Sequence, residues 1–235
     1  MRDYSRHIQL CLCILGIAAL VSGCGGGDSS ASGPISSSLS FQLQSGYKNL
    51  IRNGYSKSFT VSGTCNGSGT KLSAPANTSS TFENVTGFSA TETLTMTLTN
   101  CTPASSTQAY TDYYDTNYVP LGFVTAGVNY GVWSSPPSIP ATVTVGATGV
   151  IGTQNYYTDN SKTTGDGHED ASYVVEPETA TTAIVNLISN YYDASGALSA
   201  TEQDRYRIDA VGTLTPDSIN IQYVKGSTSH LVLTF

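Results

Sequence analysis

The sequence predicts a mainly β protein, an antiparallel β-sandwich or half-open barrel with one short N-terminal helix. Charged residues make up only 11% of the chain, against about 25% in an average domain. The chain carries 15 tyrosines and is rich in threonine, and both residue types suit pleated strands. Several short segments alternate apolar and hydroxyl side chains, which is typical of strands with one buried face.

The helix is predicted at the start of the folded part. Leu43, Tyr47, Leu50 and Ile51 fall at positions i, i+4, i+7 and i+8, which places them on one helical face. Gly54 follows as a stop signal. We therefore expect a helix over about residues 44–53.

Strands are expected along the rest of the chain. Between residues 91 and 101, Leu94, Met96 and Leu98 alternate with threonine. After residue 141, the apolar segments are separated by short turns, which predicts an antiparallel meander. The proline-rich residues 134–140 are the best internal boundary. They leave open whether residues 39–235 form one domain or two packed lobes, 39–135 and 141–235.

The N-terminus has the pattern of an export signal. Arg2 and Arg6 precede an apolar run over residues 8–21, which is too short to span a membrane comfortably, and Val21-Ser22-Gly23-Cys24 follows. This order resembles the lipobox of bacterial lipoproteins. An uncleaved anchor helix and ordinary secretion are the rival interpretations, and the small residues directly before Cys24 argue against both.

The resemblance implies that residues 1–23 are removed and that Cys24 is acylated. Because Gly25 stands where Asp commonly retains such proteins in the inner membrane, it also implies the outer membrane, with the periplasmic face as the default side and surface exposure left open. Residues 24–38 are rich in glycine and serine and are expected to be a flexible tether.

The cysteine count follows from this expectation. Cys11 and Cys13 leave with the signal peptide, and Cys24 is used by acylation. Cys65 and Cys101 remain as a pair in an exported protein, where oxidising conditions favour a disulfide. We therefore predict a Cys65–Cys101 bridge.

The net charge of the chain limits the kinds of partner that it can bind. The signal peptide carries a net charge of +1, so its removal takes the chain from −7 to −8. An acidic chain has no electrostatic footprint for nucleic acid. It also offers no basic patch for anionic lipid, so membrane attachment must come from the lipid on Cys24.

Aromatic residues supply the candidate binding surface, as three tyrosine pairs and the one tryptophan. They are Tyr113 and Tyr114, Tyr156 and Tyr157, Tyr191 and Tyr192, and Trp133. Adjacent tyrosines on a strand point to opposite faces, so one of each pair is expected to face outward, where it would stack on a sugar or peptide. Covering the edge of the core is the more ordinary role of such residues.

Acidic residues supply two weaker candidates. Asp159, Asp166, Glu169 and Asp170 crowd one glycine-containing segment, which suggests a calcium site or, more simply, a solvated hairpin tip. Two pairs of acidic residues with i, i+2 spacing would each share a strand face: Glu176 with Glu178, and Glu202 with Asp204. Such pairs are found in the active sites of glycoside hydrolases, and also on the solvated face of any ordinary strand.

The predicted function is a non-catalytic structural or binding module, anchored by lipid in the cell envelope. Its expected partner is an envelope protein or glycan, and no cofactor is expected. The alternative is a secreted hydrolase acting on envelope glycans, with carboxylates as acid and base.

The last five residues, 231–235, alternate and end on an aromatic side chain, which resembles the closing strand of outer-membrane β-barrels. The lipid anchor and the short, threonine-rich strands favour an ordinary core strand instead.

Overall fold

The computed structural model describes residues 36–224 and 229–235. These residues form one α-helix and thirteen β-strands. The helix is α1 (Leu43–Asn53), and the strands are β1 (Tyr55–Gly63), β2 (Asn66–Ser73), β3 (Thr78–Phe82), β4 (Val85–Thr99), β5 (Ser105–Asp115), β6 (Pro120–Thr125), β7 (Asn129–Trp133), β8 (Thr148–Tyr157), β9 (Gly165–Pro177), β10 (Thr182–Tyr192), β11 (Leu198–Asp209), β12 (Leu214–Tyr223) and β13 (His230–Thr234).

Twelve of these strands form a closed antiparallel barrel, so the expectation of a sandwich or half-open barrel is wrong. From β4 to β13 each strand pairs with its neighbour in sequence. Three other pairings close the ring: β1 pairs with β13, β1 pairs with β2, and β2 pairs with β4. Strand β4 is long enough to pair with β2 over its second half and with β3 over its first five residues. Strand β3 therefore lies outside the ring, beyond the end of β2.

The proline-rich segment lies between two neighbouring strands of this ring. Strand β7 pairs directly with β8, and strands from both sides of residues 134–140 belong to the same barrel. The segment then runs beside the helix, where Phe41 and Val143 exchange two backbone hydrogen bonds of 2.8 and 2.9 Å. The proline-rich segment and the start of α1 are thus joined at one mouth of the barrel.

Helix α1 covers this mouth, close to the predicted range. Leu43, Tyr47 and Leu50 pack against a cluster that includes Val185 and Ile208 at the strand ends. Gly54, with φ +63°, ends the helix, and its backbone N–H donates to Leu50. In the described part of the chain, no helix combines the length and the apolar character needed to cross a membrane.

A close backbone approach fixes the helix on the barrel. A Cβ atom at Gly46 would lie 2.1 Å from the carbonyl oxygen of Gly212, in the turn between β11 and β12. Only glycine therefore permits this contact, because a side chain would force the helix away from the turn.

The predicted Cys65–Cys101 disulfide is confirmed, at the mouth opposite the helix. It joins the turn between β1 and β2 to the turn between β4 and β5, with 5.8 Å between the two Cα atoms. Cys65 belongs to an apolar cluster with Phe59, Met96 and Leu231 that fills this side of the interior.

A polar cavity inside the barrel

The barrel contains a cavity of ≈ 230 Å³ between the helix-covered mouth and the apolar core at the other end. An engineered cavity of about 150 Å³ in another protein is large enough to bind benzene. The walls combine tyrosine, leucine and isoleucine side chains with one lysine and five acidic residues, which the sequence pattern did not bring together. These are Lys71, Glu92, Asp112, Glu169, Glu202 and Asp204.

Lys71 and Glu92 form a buried ion pair. Strands β2 and β4 are adjacent, and their register places Lys71 opposite Leu94 and Ser73 opposite Glu92. The Nζ of Lys71 lies 3.4 Å from the Oε2 of Glu92, and the two side chains are 11% and 16% exposed. The Tyr110 hydroxyl donates to the same oxygen at 2.5 Å.

The pKa of Lys71 reflects this arrangement. Burial alone would lower the pKa of Lys71, because it penalises the charged ammonium. The negative charge of Glu92 is the largest opposing contribution, and the pKa of Lys71 lies well above its ordinary value. Lys71 is therefore a permanent cation inside the barrel.

Glu202 and Asp204 form a carboxyl pair on β11. Both side chains point inward, in phase with the buried Ile208. Burial raises the pKa of Asp204 well above its ordinary value, and the charge of Glu202 raises it further, while Lys71 acts in the opposite direction. The two carboxyl groups share a hydrogen bond, which requires a proton between them.

One oxygen of this pair is unsatisfied. The Oδ1 atom of Asp204 is buried and has no hydrogen-bond partner among the described residues. Asp204 is surrounded by the barrel, and the accessible surface that it retains is part of the cavity wall. A buried acceptor without a donor is unfavourable by about 1–3 kcal/mol, so a rotation of the Asp204 carboxyl group that brought this atom to a ligand donor in the cavity would be favoured.

Tyrosine hydroxyls surround the charged groups. Burial raises the pKa of Tyr55 to about 12, and Tyr55 is hydrogen-bonded with Tyr206. Burial also raises the pKa of Tyr206 well above its ordinary value. Both phenols remain protonated at neutral pH and can therefore donate as well as accept hydrogen bonds.

Glu169 lies elsewhere on the cavity wall and is fully engaged by neighbouring hydroxyls. The Tyr156 hydroxyl donates to its Oε2 and the Ser189 hydroxyl to its Oε1, both at 2.5 Å. Glu169 is 5% exposed.

The aromatic residues predicted as a binding surface are divided between the two faces of the barrel wall. The inner face carries Tyr114, Tyr156, Tyr191 and Trp133, and the outer face carries Tyr113, Tyr157 and Tyr192. On the outer face, Tyr113 stacks on Phe82 at 4.6 Å between ring centroids, and Tyr192 stacks on His168 at 4.7 Å. The structure therefore does not bring these seven residues onto one surface.

The calcium candidates are also separated. Glu169 points into the barrel, whereas Asp170 points outward and accepts a hydrogen bond from Thr153 at 2.6 Å. Asp159 accepts from Ser161 within its own turn, and Asp166 lies on β9. Among the described residues, no three His, Cys, Asp or Glu side chains converge in a way that would hold a metal ion.

The second carboxylate pair lies on the outer face. Arg205 contacts Glu176 at 2.6 Å, and Arg207 contacts Glu178 at 2.5 Å. The two i, i+2 pairs thus have the same spacing but face opposite sides of the wall, and only Glu202 and Asp204 reach the cavity.

Cys24, the predicted lipid attachment site, lies outside the described residues. No protein-family model, curated protein or solved structure matches this chain.

Proposed function

We propose that this protein is a lipid-anchored, non-catalytic binding module of the cell envelope, and that it binds a small ligand inside its barrel. The observation that carries this proposal is a ≈ 230 Å³ cavity whose wall includes Asp204, a residue whose buried Oδ1 has no hydrogen-bond partner among the described residues. Pockets that combine apolar walls with a few convergent polar groups are the usual form of a small-molecule site.

Stability does not account for the charged groups. Replacing a buried ion pair by apolar side chains of similar volume is often neutral or stabilising. Lys71, Glu92, Glu202 and Asp204 nevertheless lie together beside the cavity, in a barrel that otherwise has apolar clusters at both ends. A cluster of perturbed ionisable groups in a concave site is a feature of functional sites.

The proposed anchor is compatible with this site. The Ser37 hydroxyl donates to the Ala180 carbonyl beside the helix-covered mouth, so the chain leading from Cys24 meets the barrel there. Twelve residues lie between Cys24 and Ser37, and thirteen steps along the chain reach at most about 45 Å. A lipid on Cys24 would tether the barrel by this mouth.

The hydrolase alternative has weaker support. Glycoside hydrolysis uses two carboxyl groups about 5–9.5 Å apart, with sugar or water between them. Glu202 and Asp204 are hydrogen-bonded to each other instead. A polymeric glycan is also far larger than a cavity of ≈ 230 Å³.

The anchor is tested by Cys24→Ser in the full-length chain. We expect the wild-type protein to fractionate with membranes and to carry acyl mass on Cys24, and the variant to lose both properties. An unacylated wild-type protein, or a variant that still fractionates with membranes, would contradict the anchor.

The binding function is tested on protein purified from its native envelope. Small molecules released on denaturation are identified by mass spectrometry. Ala171→Leu adds volume at a buried position on the cavity wall, and Ala109→Leu makes the same change at an exposed position on β5. We expect a stoichiometric molecule from the wild type and from Ala109→Leu, but not from Ala171→Leu. Release of the same molecule from all three proteins would exclude the cavity as its site.

A further inference from the structure

We propose that the ligand is a small organic ammonium ion, held by the Glu202–Asp204 pair. This inference rests on the proposed function, because it names the chemical class that the barrel cavity binds. Three properties of the cavity favour this class: its charge, its unsatisfied acceptor and its size.

The charge of the cavity favours a cation. Lys71 is the one cationic side chain among the described residues that line the cavity, and its partner is Glu92 at 3.4 Å. With one proton between them, Glu202 and Asp204 still carry one negative charge. Asp112 and Glu169 also line the cavity, so acidic groups outnumber the one cation, and a positively charged ligand is favoured.

The unsatisfied atom requires a hydrogen-bond donor. The Oδ1 of Asp204 is an acceptor, and an ammonium group offers several N–H donors around one charge. Hydrogen bonds between an ammonium and a carboxylate are stronger than those between neutral groups. An anion or a ligand with acceptors alone would leave Asp204 unsatisfied.

The remaining walls fit the organic part of such a molecule. Tyr110 and Tyr206 line the cavity, and aromatic faces attract organic cations. Val185 and Leu187 supply apolar wall beside them. The volume of ≈ 230 Å³ exceeds that of a benzene-sized cavity but is below the range of about 300–1,000 Å³ found for drug-sized ligands. A compact alkyl or aryl amine is therefore the class that fits.

The inference is tested by titrating benzylamine and benzyl alcohol into the full-length protein in detergent at pH 7, with calorimetric detection. The two probes have nearly the same shape but differ in charge. We expect benzylamine to bind at least about tenfold more tightly, because only the ammonium compensates the carboxyl pair. This comparison uses wild-type protein and does not depend on the folding of any variant.

Two matched double variants test whether the Glu202–Asp204 pair causes the tighter binding of benzylamine. Glu202→Gln with Asp204→Asn removes the charge of this pair but retains hydrogen-bonding groups, and should weaken benzylamine binding by about tenfold or more. Glu176→Gln with Glu178→Gln makes the same change at the same spacing on the outer face, and should leave binding within about twofold.

The possible outcomes separate this inference from the proposed function. If benzyl alcohol binds as tightly as benzylamine, the ammonium class is wrong, but the cavity is still a binding site. Equal loss of benzylamine binding in the inner and outer double variants would also overturn the assignment to Glu202 and Asp204. If neither probe binds, the ammonium class is overturned, and the small molecules released from native protein decide the proposed function independently.

Discussion

Replacing Lys71 by methionine should strongly destabilise the barrel. At 3.4 Å and an effective dielectric constant of about 20, the attraction between Lys71 and Glu92 is about 5 kcal/mol. The substitution leaves Glu92 and the Glu202–Asp204 pair without a cation in the interior. Removing one partner of a buried ion pair typically costs about 3–5 kcal/mol, so we expect a loss of that size at pH 7.

The assay is urea unfolding followed by the fluorescence of Trp133, the one tryptophan in the chain. Lys162→Met is the control, because Lys162 pairs with Glu83 at the surface with its side chain 37% exposed. Solvent screening limits that pair to less than about 1 kcal/mol. Adding Glu92→Gln to Lys71→Met should recover most of the loss, because it removes the uncompensated charge.

The pH dependence provides a second measurement. Without Lys71, the pKa of Glu92 in the folded state must rise, so the folded variant binds a proton that the unfolded chain releases above about pH 4. The deficit relative to wild type should therefore be largest at pH 7–8 and shrink as the pH falls towards about 4. A deficit below about 1 kcal/mol at pH 7, or one that does not change with pH, would refute the buried ion pair.

Three further changes test the fold and the carboxyl pair. Replacing both Cys65 and Cys101 by alanine opens a loop with a sequence separation of 36, which should cost about 4 kcal/mol in urea unfolding; a loss under about 1 kcal/mol would contradict a stabilising bridge. Gly46→Ala should cost about 1–3 kcal/mol and speed proteolysis within α1, because its Cβ would meet Gly212; unchanged proteolysis would mean that the helix is not docked there. Asp204→Asn should match the thermal stability of wild type near about pH 4 and exceed it at about pH 8, since burial raises the pKa of Asp204 in the folded state only; parallel melting curves across this range would contradict that burial.

Local sequence patterns predicted the helix and the strands, but not the closure of the strands into a barrel. The spacing of Leu43, Tyr47 and Leu50 located the helix, because a helical face is fixed by residues within two turns. Alternation identified β4, since Met96 and Leu98 face the core. Alternation fixes the face of a strand but not its partner, so the pairing of β1 with β13 could not be derived from it.

The residues of the cavity could be predicted only in part, because the spacing of residues along a strand does not tell which face of the strand points inward. The pairs Glu176 with Glu178 and Glu202 with Asp204 have the same spacing, and spacing alone does not tell which pair faces inward. A usable signal was phase: Glu92 falls in step with the apolar Leu94 and Met96, which marks it as an inward charge. Its partner Lys71 lies on a strand rich in glycine, serine and threonine, whose one apolar residue is Leu72. Leu72 is 46% exposed and lies on the outer face, so the pattern of β2 does not mark Lys71 as an inward charge.

Because the first strand pairs with the last, the barrel cannot close without the five residues of β13. Strand β1 has β2 as its neighbour on one side, and its other edge pairs with residues 231–234 alone. A chain that lacks these residues would leave β1 and β12 as two open edges, which are templates for association with other chains. Because this contact spans almost the entire folded sequence, the ring closes only after residues 231–234 have been made. Truncated products would therefore remain open and accessible to proteases, which would leave full-length barrels as the form that persists.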